Sequence, residues 1–262
     1  MSKFRIISFG DGLGDCFLVE LSNGKSSVNI LIDGHRKLFN DFEEHIKNLI
    51  TIDYMVITHI DADHIQGIIE LLENEALKEK FRATRIIYNY VTQPYINYKH
   101  AEKFEKLILD RKVINTCRDH YFEESNPFLK LLSHNTRKNF KLPNDDCAYL
   151  TLLHPNQKSE VYEVYDDYCK KKIGDDCQPN SKLVNKYSIA LIIEFNNRRV
   201  LFTGDSSIEI LMNKINELNG IDGSKIDLIK MPHHGAKNEN SGLVDFADKY
   251  KCNKFIVTGE KI

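Results

Sequence analysis

Apolar residues along this chain follow two kinds of period. Arg5 to Ser8, Phe17 to Leu21 and Val28 to Ile32 are short runs rich in β-branched and aromatic side chains, and Asn23-Gly24 supplies a turn between the last two, so they predict a strand followed by a hairpin. Phe39 to Leu49 shifts to helical spacing with a polar face, and Asp53 to Ile57, continuing to Thr58, returns to a strand. Ile65, Ile68, Ile69 and Leu72 repeat every three or four residues, which predicts a helix over His64 to Leu77, and Arg85 to Tyr90 alternates as a strand.

Tyr95 to Lys112 again repeats at helical spacing, whereas Phe122 to Phe140 is mixed and polar and predicts short helices with loops beside the sheet. Tyr149 to Leu153 reads as a strand ending at His154. Asn156 to Lys182 carries many charges and Tyr162, Tyr165 and Tyr168 without a stable period, and segments of that length are usually functional or disordered. Ser188 to Phe195 and Arg199 to Thr203 form a second hairpin around Asn196-Asn197. A helix over Ile208 to Leu218, a strand over Ile226 to Met231, a helix over Leu243 to Tyr250 and a strand over Phe255 to Thr258 follow. The order β-rich, α, β-rich, α predicts an α/β fold, a four-layer αβ/βα sandwich in which two mixed sheets face each other under helices.

Composition narrows this little. With 262 residues and 42% hydrophobic content, the expectation is a single domain over 1–262, with insertions at about 91–148 and 156–184. No apolar run approaches the roughly 20 residues of a membrane span, and Met1 to Gly10 reads as a strand and not as a leader, so a cytoplasmic protein without membrane contact is expected. Cys16, Cys117, Cys147, Cys169, Cys177 and Cys252 are scattered and predict free thiols, Cys16 and Cys252 as small core residues.

Chemistry enters at the end of the strand Asp53 to Ile57. Thr58-His59-Ile60-Asp61-Ala62-Asp63-His64 crowds two imidazoles and two carboxylates into one turn, the ligand types that Zn²⁺, Mn²⁺ or Fe accept. Asp61 or Asp63 alone also fits a helix N-cap. That leaves unexplained the paired histidines and the recurrence of the same residue types in Leu153-His154-Pro155, Thr203-Gly204-Asp205 and Pro232-His233-His234-Gly235. Every one of these blocks falls at the end of a predicted strand.

These blocks, in this order, resemble the metallo-β-lactamase superfamily of metal-dependent hydrolases, over nearly the whole chain. The family pattern is His-x-His-x-Asp-His, a lone His, a bridging Asp and a last His. His59, Asp63 and His64 match, and Asp61 stands where a second His is usual. An Asp there, together with Gly12-Leu13-Gly14-Asp15, Leu31-Ile32-Asp33-Gly34, the stretch from Asn185 and Ser188 to Asp205, and Ile229-Lys230-Met231-Pro232-His233-His234-Gly235, is similar to the ComEC-type competence nuclease-like branch. The chain ends four residues after Thr258, where that branch normally continues, so a truncated C-terminus or a shorter variant is expected.

The resemblance implies two divalent metal ions, Zn or Mn. His59, Asp61 and His154 would surround the first and Asp63, His64 and His233 the second, with Asp205 bridging. Asp61 adds a hard oxygen donor that shifts preference toward Mn²⁺ or Mg²⁺, or else accepts a proton from the nucleophilic water. His233 is preferred over His234 as ligand, and His234 is then a phosphate contact or proton donor; Asp63, Asp61 and His234 are the catalytic candidates. Asp33 orients a metal-binding His or forms a strand-end turn with Gly34, His35 lines the pocket, and Asp15 lies at the rim. His45, His100, His120 and His134 have no partner at ligand spacing.

A net charge of −2 excludes a surface that is polyanion-binding throughout but permits a local basic groove, for which Lys170, Lys171, Lys172, Lys182, Lys186, Arg198, Arg199, Lys230 and Lys237 are candidates. Lys230, Lys237 and Lys186 lie nearest the motifs and are the expected substrate contacts. The expected activity is phosphodiester hydrolysis, most simply of nucleic acid. Hydrolysis of a small ester, lactam, thioester or cyclic nucleotide, and a non-catalytic metal-stabilised module, are the alternatives.

Overall fold

The computed structural model describes residues 2–9, 14–36, 39–81, 84–89, 99–110, 114–115, 138–141, 147–155, 181–217 and 225–259. Two six-stranded sheets carry the fold. The first has the order β1 (Lys3–Ser8), β2 (Phe17–Ser22), β3 (Ser27–Ile32), β4 (Tyr54–Ile57), β5 (Arg85–Tyr88), β6 (Ile114–Asn115). It is antiparallel through β3 and parallel from β3 onward. The second has the order β12 (Phe255–Ile256), β11 (Leu228–Lys230), β10 (Arg198–Phe202), β9 (Ala190–Phe195), β8 (Cys147–His154), β7 (Lys138–Lys141). Here β12, β11 and β10 are parallel and the rest antiparallel.

Strand periodicity explains the layering. Along β9 and β10, Leu191, Ile193, Phe195, Val200 and Phe202 face the larger core, while Ala190, Ile192 and Leu201 face the second one. The larger core joins the sheets: Phe17 of β2 meets Phe202 of β10 edge-on at 5.4 Å between ring centroids, and Phe4 meets Phe195 at 6.2 Å. It extends to helices α1 (Phe39–Lys47), α2 (Ala62–Glu73) and α3 (Lys99–Asp110) through Phe42, Ile68 and Phe104. Helices α5 (Ile208–Glu217) and α6 (Leu243–Tyr250) cover the other face of the second sheet with Leu211, Ile215, Phe246 and Tyr250. Helix α4 (Ser181–Lys186) precedes β9.

Three elements depart from the periodicity. The helix expected to reach Leu77 stops at Glu73: Asn74 leaves helical φ/ψ, its side chain accepts the Ala76 N–H at 3.0 Å, and the chain rewinds as a 3₁₀ turn over Glu75–Phe81. Residues 138–141, expected among short helices and loops, pair with β8 as a strand. Ser181–Lys186, expected at the end of an unstructured insertion, is helical around the buried Val184. Lys170, Lys171, Lys172, His120, His134, Cys117, Cys169 and Cys177 lie outside the described residues. Cys16 and Cys252 are buried free thiols, as expected. No helix among the described residues is long and apolar enough to cross a membrane.

Candidate metal centre

Parallel pairing brings the motifs to common edges. β3 and β4 run the same way, so Asp33 and the Thr58 to His64 turn emerge side by side. β10 and β11 do the same for Asp205 and for the tandem histidines. β8 is antiparallel to β9, and β9 to β10, so β8 shares the direction of β10 and delivers His154 to that edge.

Backbone geometry sharpens these turns. Gly204 has φ +52, and a Cβ there would meet Ser188 Oγ at 2.2 Å. Only glycine lets β10 turn at this point so that the Asp205 N–H reaches Ser188 Oγ, at 3.1 Å. His233 and His234 both adopt left-handed φ, 44° and 55°, a costly conformation for residues with a Cβ and one that recurs at functional sites. Asp61 occupies the N-cap position of α2, yet its side chain makes no capping hydrogen bond. The capping role does not use that carboxylate.

Three residues form a buried floor. His59 Nε2 lies 3.7 Å from Asp205 Oδ2, and His64 Nε2 lies 3.6 Å from Asp205 Oδ1. These separations are too long for hydrogen bonds, and both nitrogens and Asp205 Oδ1 are buried without a hydrogen-bond partner. Above the floor, Asp61 Oδ2 is 3.9 Å from His59 Nε2, Asp63 Oδ2 is 3.7 Å from His64 Nε2, and His233 Nε2 is 3.8 Å from Asp205 Oδ2. Asp61, Asp63 and His233 keep partial access to solvent.

The far nitrogens of the rings settle their orientation. Thr58 Oγ1 donates to Asp33 Oδ2 at 2.6 Å and therefore accepts from His59 Nδ1 at 3.0 Å; Ser188 Oγ, which already accepts from the Asp205 N–H, lies 3.1 Å from the same nitrogen. His59 is thus the Nδ1–H tautomer with its Nε2 lone pair on the floor. Burial, then the neighbouring charge of His64, pushes its pKa down to about 3, which keeps the ring neutral. His64 Nδ1 donates to Asp33 Oδ2 at 2.9 Å, the carboxylate–imidazole arrangement that aims the other nitrogen at a metal. Burial opposes charge on His64, but Asp205, Asp33 and Asp15 outweigh it and raise its pKa to about 10.

His234 spans two carboxylates, Nε2 to Asp63 Oδ2 at 3.0 Å and Nδ1 to Asp15 Oδ1 at 3.1 Å. Burial alone would lower its pKa; the hydrogen bonds to Asp15 and Asp63 raise it to about 9. For Asp61, burial, reinforced by Asp63 and Asp205, raises the carboxyl to about 6. Burial also penalises charge on Asp63, Asp205 and Asp15, but imidazoles, and Lys230 for the latter two, hold all three below the ordinary carboxylate range.

Other expected residues are placed differently. Asp15 is fully buried, not at the rim, and forms an ion pair with Lys230. Lys230, expected at substrate, is 1% exposed and gives its ammonium to Asp15 and to the Gly204 carbonyl at 2.9 Å. Both faces of β11 are covered, and a cation there must find its partners inside the protein. Lys186 and Lys237 are exposed, and the Lys186 ammonium lies over the Tyr187 ring. His35 packs beside Gly14, near the Asp63 carbonyl. His154 Nε2 donates to the Lys186 carbonyl at 2.8 Å and its ring stacks on Tyr187, so Nδ1 carries the lone pair; it contributes no atom to the converging groups. Asp33 holds both roles, a strand-end turn at φ 55 and a hydrogen-bond partner of His64.

Thr58, Ser188, Thr258 and Glu239 were not singled out for these roles in the sequence. Thr258 Oγ1 donates to Asp15 Oδ1 at 2.6 Å, and Glu239 Oε1 stands 3.6 Å from His233 Nδ1. Hydroxyls carry no ligand signal of their own; Ser188 is marked only as part of the stretch to Asp205 that carries the family resemblance, and is expected to open a strand.

The donor set suits a divalent cation. Ligand atoms of His59, His64 and Asp205 all lie within 4.8 Å of one another. Metal–ligand bonds of about 2.0–2.2 Å would place neighbouring ligand atoms somewhat over 3 Å apart, close to the spacing observed. A buried N–H without an acceptor costs about 1–3 kcal/mol, so an ion taking the place of the proton on His64 Nε2 relieves an existing penalty.

No family model matches the chain, and no curated protein matches it in sequence. Solved structures do match in shape. Human tRNase Z, short form, is 11% identical over 97% of this chain and 92% of its own, with a TM-score of 0.49. A diphosphatase from the PhnP family is 14% identical over 94% and 73%, with a TM-score of 0.44. YhfI from Bacillus subtilis, a metallo-β-lactamase fold protein, is 13% identical over 100% of this chain and 87% of its own, with a TM-score of 0.51. With its two mixed sheets and covering helices, the chain has the metallo-β-lactamase fold.

Proposed function

We propose that this chain is a metal-dependent hydrolase, a phosphodiesterase of the ComEC-type branch that cleaves nucleic acid or another phosphodiester. The observation that carries the proposal is the floor of His59, His64 and Asp205, three buried ligand groups aimed at one another with His59 Nε2, His64 Nε2 and Asp205 Oδ1 unsatisfied. His59, Asp61 and His233 would hold one zinc or manganese ion on the Asp205 Oδ2 side, and Asp63 and His64 a second on the Oδ1 side, with Asp205 shared; His154, which contributes no atom to the converging groups, is left out of the set. Ions bound there would supply Lewis acidity to a phosphoryl oxygen and acidify water at neutral pH.

The protein's own groups divide the proton work. Asp61, with a pKa near 6, is suited to accept the proton of the attacking water. His234, held protonated between Asp15 and Asp63, is suited to give one to the leaving oxygen. Lys237 and Lys186, both exposed, are the side chains proposed to meet phosphate charge.

The test is turnover of bis(p-nitrophenyl) phosphate, and of single- and double-stranded DNA and RNA, with Mn²⁺, Zn²⁺ or Mg²⁺, at two salt concentrations. The proposal expects metal-dependent cleavage, lost in Asp63→Ala, with polymer binding weakened by salt. Turnover of small esters or cyclic nucleotides with polymers untouched would move the substrate class. A protein that binds metal but turns over none of these would be a metal-stabilised module.

A further inference from the structure

Resting on the metallohydrolase proposal, we infer that Lys230 is a built-in cation that makes the two sides of Asp205 unequal, one binding a divalent ion tightly and the other weakly. Asp205 Oδ2 faces His59 Nε2 at 3.7 Å and His233 Nε2 at 3.8 Å. Asp205 Oδ1 faces His64 Nε2 at 3.6 Å and, also at 3.6 Å, the Lys230 ammonium. An ion on the Oδ2 side has two imidazoles and a carboxylate oxygen to itself. An ion on the Oδ1 side shares its oxygen with a fixed positive charge.

Water does little to screen that charge, because Lys230 and Asp205 are 1% and 3% exposed. Asp15 offsets it only in part, since the Lys230 ammonium has Asp15 on one side and Asp205 on the other. Nor can Asp15 readily serve as a replacement ligand. Its Oδ2 is taken by Lys230, and its Oδ1 accepts from Thr258 Oγ1 at 2.6 Å and from His234 Nδ1 at 3.1 Å. The grouping of Asp15, His64 and His234, close enough in space to suggest a metal position, is therefore already occupied by internal partners. Lys230 acts here as a positioning residue for charge and does not touch substrate.

The experiment is a metal titration of the chelator-stripped full chain with Mn²⁺ or Zn²⁺ alone, followed by calorimetry and by elemental analysis after dialysis. Wild type should retain one ion per chain and take a second only at roughly 10- to 100-fold higher free metal, the range that outer partners of metal ligands command. Lys230→Met should narrow that gap by tightening the second step alone, an effect that a merely structural lesion, which weakens both steps, would not produce. Because Lys230→Met leaves Asp15 buried without its counter-charge, the double variant Lys230→Met/Asp15→Asn is run beside it. The amide oxygen introduced by Asp15→Asn still accepts from Thr258 and His234, and the gap should narrow there too. Two equal steps in wild type, or an unchanged gap in the folded variants, overturns the inference while leaving the hydrolase proposal intact. A wild-type chain that binds no ion defeats both.

Discussion

Asp33 and His64 share a hydrogen bond of 2.9 Å, while the same carboxylate accepts the Thr58 N–H at 2.8 Å and the Thr58 hydroxyl at 2.6 Å. The end of β3 thereby fixes both the turn after β4 and the ring that leaves it. Asp33→Asn keeps the size of the side chain but can offer His64 Nδ1 an amide where it needs an acceptor. Metal affinity should fall by about 10- to 100-fold, as for other carboxylates behind metal-bound imidazoles. Competition with a chelating dye, with circular dichroism as a check on folding, measures this; an unchanged affinity would show that Asp33 serves only the turn.

Gly204→Ala should be far more damaging than its size suggests. An L-residue at φ +52 costs about 1–2 kcal/mol. The added Cβ also meets Ser188 Oγ at 2.2 Å and the Ile189 carbonyl at 3.0 Å, so β10 or the segment before β9 must shift and carry Asp205 with it. The urea midpoint should drop and metal affinity with it. Relief by adding Ser188→Ala should be only partial, because the Asp205 N–H then loses its acceptor.

How far the sequence reaches can be seen by contrasting His59 with Lys230. His59, Asp61, Asp63 and His64 announce themselves because ligand residue types fall at fixed spacing on one turn, and a turn brings near neighbours together whatever the rest of the chain does. Most strands and most helices were equally legible from local period. Lys230 was not: its residue type argues for the surface, and its burial depends on Asp15, at the other end of the chain, and on Asp205 and the Gly204 carbonyl across the turn from β10. Thr58 and Ser188 were invisible as partners of His59 for the same reason. Strands β6 and β7, two and four residues long, are too short to show a period and exist through pairing at sheet edges.

Phe202→Ala tests how the halves are held. The ring is 1% exposed and packs edge-on against Phe17 of the opposite sheet. Its loss should cost about 3–5 kcal/mol, read as a lower urea midpoint with the slope unchanged. Since Thr203, Gly204 and Asp205 follow directly, metal affinity should weaken as well, by less than in Gly204→Ala because the turn itself keeps its geometry.

Proton release on metal binding distinguishes the tandem histidines. In the metal-free protein His59, with a pKa near 3, is already neutral at pH 7.5, so its coordination frees no proton. His64, near 10, is protonated at that pH and must lose its proton to bind. If His234 takes no part in binding, the His64 proton is the one these shifts predict to leave at pH 7.5, and log affinity should rise with pH at a slope of about one. If His234 binds instead, its pKa near 9 means that a second proton must leave, and the slope approaches two. Asp61 adds its own proton only as pH falls toward its value near 6, where affinity should drop more steeply in wild type than in Asp61→Asn. Calorimetry in buffers of different ionisation enthalpy counts these protons directly, and a count near two at pH 7.5 would transfer the ligand role to His234 and remove it as the proton donor.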